Sequence, residues 1–273
     1  TEFGTPGGYI KNGDVGTFQP IESFTSDFFE KGVKESVKHA WYEGEENLHP
    51  YDGETVPSYT DFEDDGKYSW VKAPTYYDRP AQVGPLANVL AMYAAGHEAT
   101  TKYADLALSK ASELAGTNVP LSALHSTLGR HAARAVRTAV LLEQLNANYK
   151  ALINNIASGD ISTFNEPVFP KGTQTGYGFH EAPRGTLSHW VVIEDGKIQN
   201  YQAVVPSTWN AAPRNDADEM GPYESSLVGN PVAVEDRPLE VLRTVHSFDP
   251  CLACAIHLHD NEQENIVHVN TVC

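Results

Sequence analysis

Between Leu121 and Ile156 apolar residues return at every third or fourth position: Leu121, Leu124, Leu128, Ala132, Ala135, Ala139, Leu142, Leu145, Tyr149, Leu152 and Ile156. That period belongs to a helix. It predicts one continuous rod opening at Pro120 and ending near Ser158-Gly159, about ten turns and roughly 55 Å long. A rod of that length needs neighbours along its side, so a helix bundle is the expected core. The seam is rich in alanine, which favours close packing inside a globule over a coiled coil. His125 and His131 lie on this helix and are read as hydrogen-bonded histidines, not metal ligands.

Two shorter helices are expected before it. Leu86, Val89, Leu90 and Tyr93 have helical spacing after Pro85, with Gly96 as a stop, and a second helix is expected over Ala99 to Leu114. Residues 1–80 are rich in Gly, Pro, Asp, Glu and Tyr with little periodicity and read as loops with short helical pieces. Within them, Asp61, Glu63, Asp64 and Asp65 mark a solvated surface excursion. After Gly159 the pattern turns to strands. The β-rich runs His189–Ile193 and Ile198–Val205 flank Asp195-Gly196, a strong hairpin signal. Pairing of those strands brings Arg184, just before the first, close to Ser207, just after the second. The expected class is mainly α with a small β portion: a long-helix bundle core plus an antiparallel hairpin.

A chain of 273 residues can bury a sizeable core. Its formal charge of −17 argues against nucleic-acid binding, which needs a basic face to neutralise phosphates. It contains no run of eighteen apolar residues and no signal peptide, so no segment is expected to span a membrane unaided.

The chemistry is concentrated near the end, where Asp249, Cys251, Cys254 and His257 gather two of the three cysteines with a carboxylate and an imidazole. Thiolates in C-x-x-C spacing beside a histidine suit a metal. A disulfide, a thioredoxin-like redox pair and two buried thiols fit the same spacing. A c-type haem does not, because His would have to follow Cys254 directly. A zinc ribbon or a four-thiolate cluster held by this chain alone does not either, because only Cys273 is left over. The pair makes half a site.

The segment Arg243–His257 resembles the C-terminal signature of the nickel-iron hydrogenase large subunit. Further matches run through the chain in family order: His39–Tyr42, His49-Pro50, Tyr68–Pro74, Val83–Ala87, Leu128–Arg134, Glu181–Gly185 and Tyr201–Asn210. The family's R-x-C-G-x-C motif is absent and the length is about half that of a typical member, so the chain is expected to be the C-terminal half of such a subunit. Residues 1–257 would be that portion, and Leu258–Cys273 would be the tail that a maturation endopeptidase removes.

The resemblance implies a site. Cys251 would be a terminal nickel ligand, and Cys254 would bridge nickel to an iron carrying carbon monoxide and two cyanides. Arg184 would overhang the metals and, with Ser207, hydrogen-bond the cyanides. Pro183 and Val204 would wall in the carbonyl, and Asp249 would anchor the active-site arginine. His257, the backbone carbonyl of Ala203 and an acidic residue in the missing half would bind a magnesium or iron ion. The implied reaction is the reversible oxidation of dihydrogen to protons and electrons. The implied partners are an iron-sulfur small subunit and the N-terminal half bearing the other two cysteine ligands. The competing readings are a non-catalytic relative of the same fold, an immature or partial subunit lacking a complete metal site, and an independent thiol-redox or metal-binding module.

Overall fold

The structure, a computed structural model, describes residues 2–23, 26–44, 47–169, 171–234 and 237–251. Cys254, His257 and the proposed tail 258–273 lie outside the described residues.

The first 82 residues hold all six strands of a sheet where the sequence pattern predicts loops. Strands β1 (Glu2–Thr5), β2 (Gly8–Ile10), β3 (Gln19–Pro20), the short helix α1 (Asp27–Lys31), and strands β4 (Val33–Ser36), β5 (Ala73–Tyr76) and β6 (Arg79–Gln82) follow in chain order. The sheet order is β3-β2-β1-β6-β5-β4, with β1 and β6 parallel and the other neighbours antiparallel. Each strand has at most four residues, too few for a two-residue alternation to show in sequence. The backbone partner of each is supplied from elsewhere in the chain. The acidic stretch Asp61–Asp65 is exposed, as its composition suggests.

Neighbouring residues of β2 enter different cores, because successive side chains on a strand point to opposite faces. Ile10, with Phe3, packs into a helical core of Leu86, Val89, Leu90, Ala104, Ala133 and Val136. Tyr9 joins a second core of Tyr76, Val83, Trp190, Val204 and Trp209. The sheet is the wall between them.

Helices α2 (Pro85–Ala94), α3 (Glu98–Ala115) and α4 (Thr127–Ala157) form the helical layer. Gly96, at φ 72°, follows the end of α2 as the sequence suggests. The long helix is shorter than its apolar period. Residues Leu121–Leu124 turn as a separate 3-10 piece, and Ser126 caps α4 by accepting from the Gly129 N–H. Its 31 residues make a rod of about 46 Å. Only its first turns are buried, at Gly129, Arg130, Ala133 and Val136. The distal stripe stays open, with Leu142 63%, Leu145 64% and Leu152 56% exposed. The period reports an apolar face and not whether this chain covers it.

A three-stranded antiparallel sheet carries the expected hairpin and one strand more. Strands β7 (Thr173–Ala182), β8 (Gly185–Glu194) and β9 (Lys197–Val204) pair in sequence order. Asp195 and Gly196, at φ 47° and 79°, turn β8 into β9 as the Asp-Gly pair predicts. The sequence of β7 alternates glycine with aromatics and had not suggested a strand. Short helices α5 (Pro206–Asn210), α6 (Pro222–Leu227) and α7 (Leu239–His246) complete the described fold. Among the described residues no helix is long and apolar enough to cross a membrane.

Candidate active site

Ala182 pairs with Gly185, so Pro183 and Arg184 form the whole of a two-residue turn between β7 and β8. So tight a turn needs glycine beside it. Gly185 has φ 132° and Gly84 has φ 113°, and the two backbones meet directly. A Cβ on Gly84 would lie 2.7 Å from the Arg184 carbonyl oxygen, and one on Gly185 would lie 2.5 Å from the Gly84 nitrogen. The buried Asn210 amide secures the facing segment, accepting from the Val83 N–H and donating to the Val83 carbonyl, both at 3.1 Å. Gly185→Ala is therefore expected to cost about 3 kcal/mol or more, from strained backbone plus collision. Urea unfolding measures it, and a loss under about 1 kcal/mol would show that the turn relaxes freely.

From this turn Arg184 reaches the last described segment. Its Nε donates to the Asp249 carbonyl at 2.8 Å, and its Nη2 lies 3.3 Å from Asp249 Oδ1. Ser207, in the first turn of α5, accepts from the Cys251 N–H at 3.1 Å. Accepting that bond leaves its own hydroxyl proton available to a ligand. Asp249 turns the chain at φ 59°, a left-handed conformation that Asp tolerates. The fold thus brings Arg184, Ser207, Asp249 and Cys251 together from three separate segments.

The other expected site residues lie nearby in different settings. Pro183 is exposed beside Arg184, whereas Val204 is fully buried in the apolar core with Trp190 and Trp209. Ala203, pointing the other way along β9, lines a cavity of about 270 Å³ with Glu35, Thr55, Lys72 and Gln202. Burial pushes the Glu35 carboxyl up and the Lys72 ammonium down, and each is partly offset by the other's charge. Lys72 donates to the Glu54 carbonyl and the Thr55 hydroxyl, both at 2.9 Å. Sequence reasoning assigned no role to Glu35 or Gln202, because each lies on a strand far from the cysteines.

It also assigned none to three arginines on one face of α4. Arg130 Nε donates to Ser247 Oγ at 2.6 Å, and its guanidinium lies over the Phe248 ring at 4.0 Å. Arg134 Nη2 donates to the Ser247 carbonyl at 3.0 Å, while Arg137 meets the turn bearing Arg184. Burial holds Arg130 down at about 10. Their spacing of four and then three was the legible signal, since it places side chains on one helix face. Arg137 pairs with the Glu181 carboxyl and Arg184 with that of Asp249, whose charge also acts on Arg134, so cationic side chains gather around this segment of an acidic chain. Phe248 also meets Tyr223 at 4.9 Å, and burial, followed by the charge of Asp249, raises the Tyr223 hydroxyl pKa.

Glu181 is pushed up to about 8 by burial, with Arg137 pulling the other way. Between the ordinary carboxylate range and that value, the folded state keeps a proton that the unfolded chain has released. Its contribution to stability therefore falls as pH rises through the window. Glu181→Gln is expected to flatten the decline of the thermal midpoint between about pH 5 and 8. Parallel pH profiles for parent and variant would show that burial does not keep this carboxyl protonated.

Residues 1–257 match the model of the nickel-dependent hydrogenase family. The chain is 51% identical over 268 residues to the hydrogenase-2 large chain of Escherichia coli K12, covering 98% of this chain and 47% of that one. It is 39% identical to the uptake hydrogenase large subunit of Afipia carboxidovorans, covering 96% and 46%. The reduced nickel-iron-selenium hydrogenase of Desulfovibrio vulgaris Hildenborough superposes with a TM-score of 0.71 at 31% identity, covering 92% of this chain and 48% of that one. The chain spans about half the length of the curated relatives it matches. Because the family match runs through the arginine turn, the α5 serine and the segment of Asp249 and Cys251, fold and site segments carry one ancestry, and the chain belongs to the nickel-dependent hydrogenase family.

Proposed function

We propose that this chain supplies the C-terminal part of a hydrogenase large subunit, contributing two thiolates and an arginine-lined wall to a nickel-iron centre that oxidises dihydrogen reversibly. The convergence of Arg184, Ser207 and Asp249 on the approach to Cys251 carries the reading. The donors suit the group: Cys251 offers a soft sulfur, and the surrounding guanidiniums favour an anionic complex. Cys251 and Cys254 would hold the metals, with carbon monoxide and cyanides on the iron. When bound, the centre supplies the redox chemistry and the Lewis acidity that dihydrogen cleavage requires.

The chain's own residues bind and orient around it. Arg184, tied to Asp249 at one edge, presents its remaining N–H groups over the site. Ser207 has a hydroxyl proton to donate to a cyanide. Pro183 would provide apolar surface against the carbonyl, and Val204, buried among Trp190 and Trp209, would support that wall only from behind. Either the Cys251 thiolate or the Arg184 guanidine would take up the proton released by cleavage.

The Ala203 carbonyl and His257 would hold magnesium or iron beside the cavity lined by Glu35, Lys72 and Gln202, whose charged and amide groups suit an ion's water shell. The family match stops at residue 257, which supports reading 1–257 as the working portion and 258–273 as a tail removed by a maturation endopeptidase. The coverage of about half of each relative supports an N-terminal half bearing the other two thiolates, and the relatives' designation as a large chain or large subunit supports a small-subunit partner, here read as the iron-sulfur subunit.

Native mass spectrometry of the polypeptide from its source tests this. A chain ending at His257, bound to metal and to an iron-sulfur subunit, is expected. A metal-free chain ending at Cys273 and travelling alone would overturn the reading for this polypeptide.

A further inference from the structure

We propose that Arg137 is a positioning residue for Arg184, gripping the two-residue turn that presents Arg184 to the 249–251 segment. The proposal rests on the reading of Arg184 as the guanidinium over the metal site.

One guanidinium holds three successive carbonyls. Arg137 Nη2 donates to the Glu181 carbonyl at 3.1 Å, and Nη1 donates to those of Ala182 at 3.0 Å and Pro183 at 3.4 Å. The Glu181 carboxyl oxygen Oε1 lies 3.4 Å from the same nitrogen. The Arg137 side chain is only 10% exposed, so its bonds to the Glu181 and Ala182 carbonyls are partly shielded from water, while the longer one to Pro183 lies at the exposed surface. The turn has few other supports. Its first residue is proline, without an N–H to donate, and β7 and β8 pair no further than Ala182 with Gly185. Behind it stand the Gly84 and Gly185 backbones in contact. The turn is gripped between α4 and the entry to α2.

The same helix holds the other partner of the Arg184–Asp249 contact. Arg134 donates to the Ser247 carbonyl and Arg130 to the Ser247 hydroxyl, two residues before Asp249. Arg134 and Arg137 are separated by about 4.5 Å of helix rise. A single rigid rod therefore sets the spacing between the turn that carries Arg184 and the segment that receives it. Lysine at position 137 would keep a positive charge beside Glu181, but its ammonium cannot span the three carbonyls as a planar fork does.

The test uses the full 273-residue chain labelled with ¹⁵N-arginine. Proton exchange at Arg184 Nε–H is measured in the parent, Arg137→Gln and Arg137→Lys. Both variants are expected to accelerate it about tenfold or more, with Arg137→Lys keeping the parental thermal midpoint and β8–β9 amide protection. Unchanged Arg184 exchange in Arg137→Lys would overturn the assignment. So would an equal acceleration throughout β8 and β9, which would make Arg137 a general support of the fold. In the assembled enzyme Arg137→Lys is expected to lower kcat about tenfold at constant KM and metal content. Faster Arg184 exchange with normal kcat would overturn the catalytic reading of Arg184 while leaving its coupling to Arg137 intact.

Discussion

Arg184→Lys in the assembled enzyme is expected to lower dihydrogen turnover about 10²–10³-fold with nickel and iron contents unchanged. Arg184 uses Nε and Nη2 on Asp249, which orients the rest of the guanidinium. Lysine offers a single ammonium on a flexible stem, so it cannot satisfy Asp249 and face the metals in one fixed geometry. The loss should appear in kcat, because the interaction lost is one that strengthens as charge separates. Turnover assays paired with metal analysis decide the matter. Parental turnover would remove Arg184 from the mechanism, and lost metal would make it a structural residue. Asp249→Asn, which weakens the anchor and not the group itself, is expected to cost less, about 10–100-fold.

Cys251→Ala and Cys254→Ala should act one step earlier and prevent the bimetallic site from assembling. A soft, redox-active metal pair depends on thiolate donors, and alanine offers none. Neither Ser207 nor Asp249 replaces a lost sulfur, since hydroxyl and carboxylate oxygens suit harder ions. Nickel and iron measured on the purified subunit are expected to fall below about a tenth of the parent value, more than the loss typical of a group that only supports a ligand. Stoichiometric metal in Cys254→Ala would end its assignment as a bridging ligand. The backbone bond from the Cys251 N–H to Ser207 is one that alanine keeps, so that tie to α5 should survive Cys251→Ala.

Where the structural information is local, the sequence was a good guide. The end of α2 at Gly96, the extent of α3 to within a residue at each boundary, and the Asp195-Gly196 turn all follow from spacing or turn chemistry within a few residues. The long helix was legible as a helix but not in its start, because the separate turn at Leu121–Leu124 continues the same apolar period. The first 80 residues failed as loops because their strands are short and pair with distant partners. Parallel β1 and β6 are almost eighty residues apart. Strand β7 was hidden for a similar reason: its glycines and polar residues carry little strand propensity, and pairing with β8 along its whole length supplies the order.

By itself the sequence determined the kinds of element that form and the kinds of donor available: an amphipathic rod, a hairpin, thiols in C-x-x-C spacing, an arginine before a strand and a serine after one. Tertiary structure alone decided which of these groups meet. Arg184 reaches Asp249 across 65 positions, Ser207 reaches Cys251 across 44, and Arg137 reaches the Arg184 turn across 44 to 46. Periodicity records the environment of each side chain along its own element. A hydrogen bond between distant segments depends on how those elements pack, and it leaves no local repeat to read.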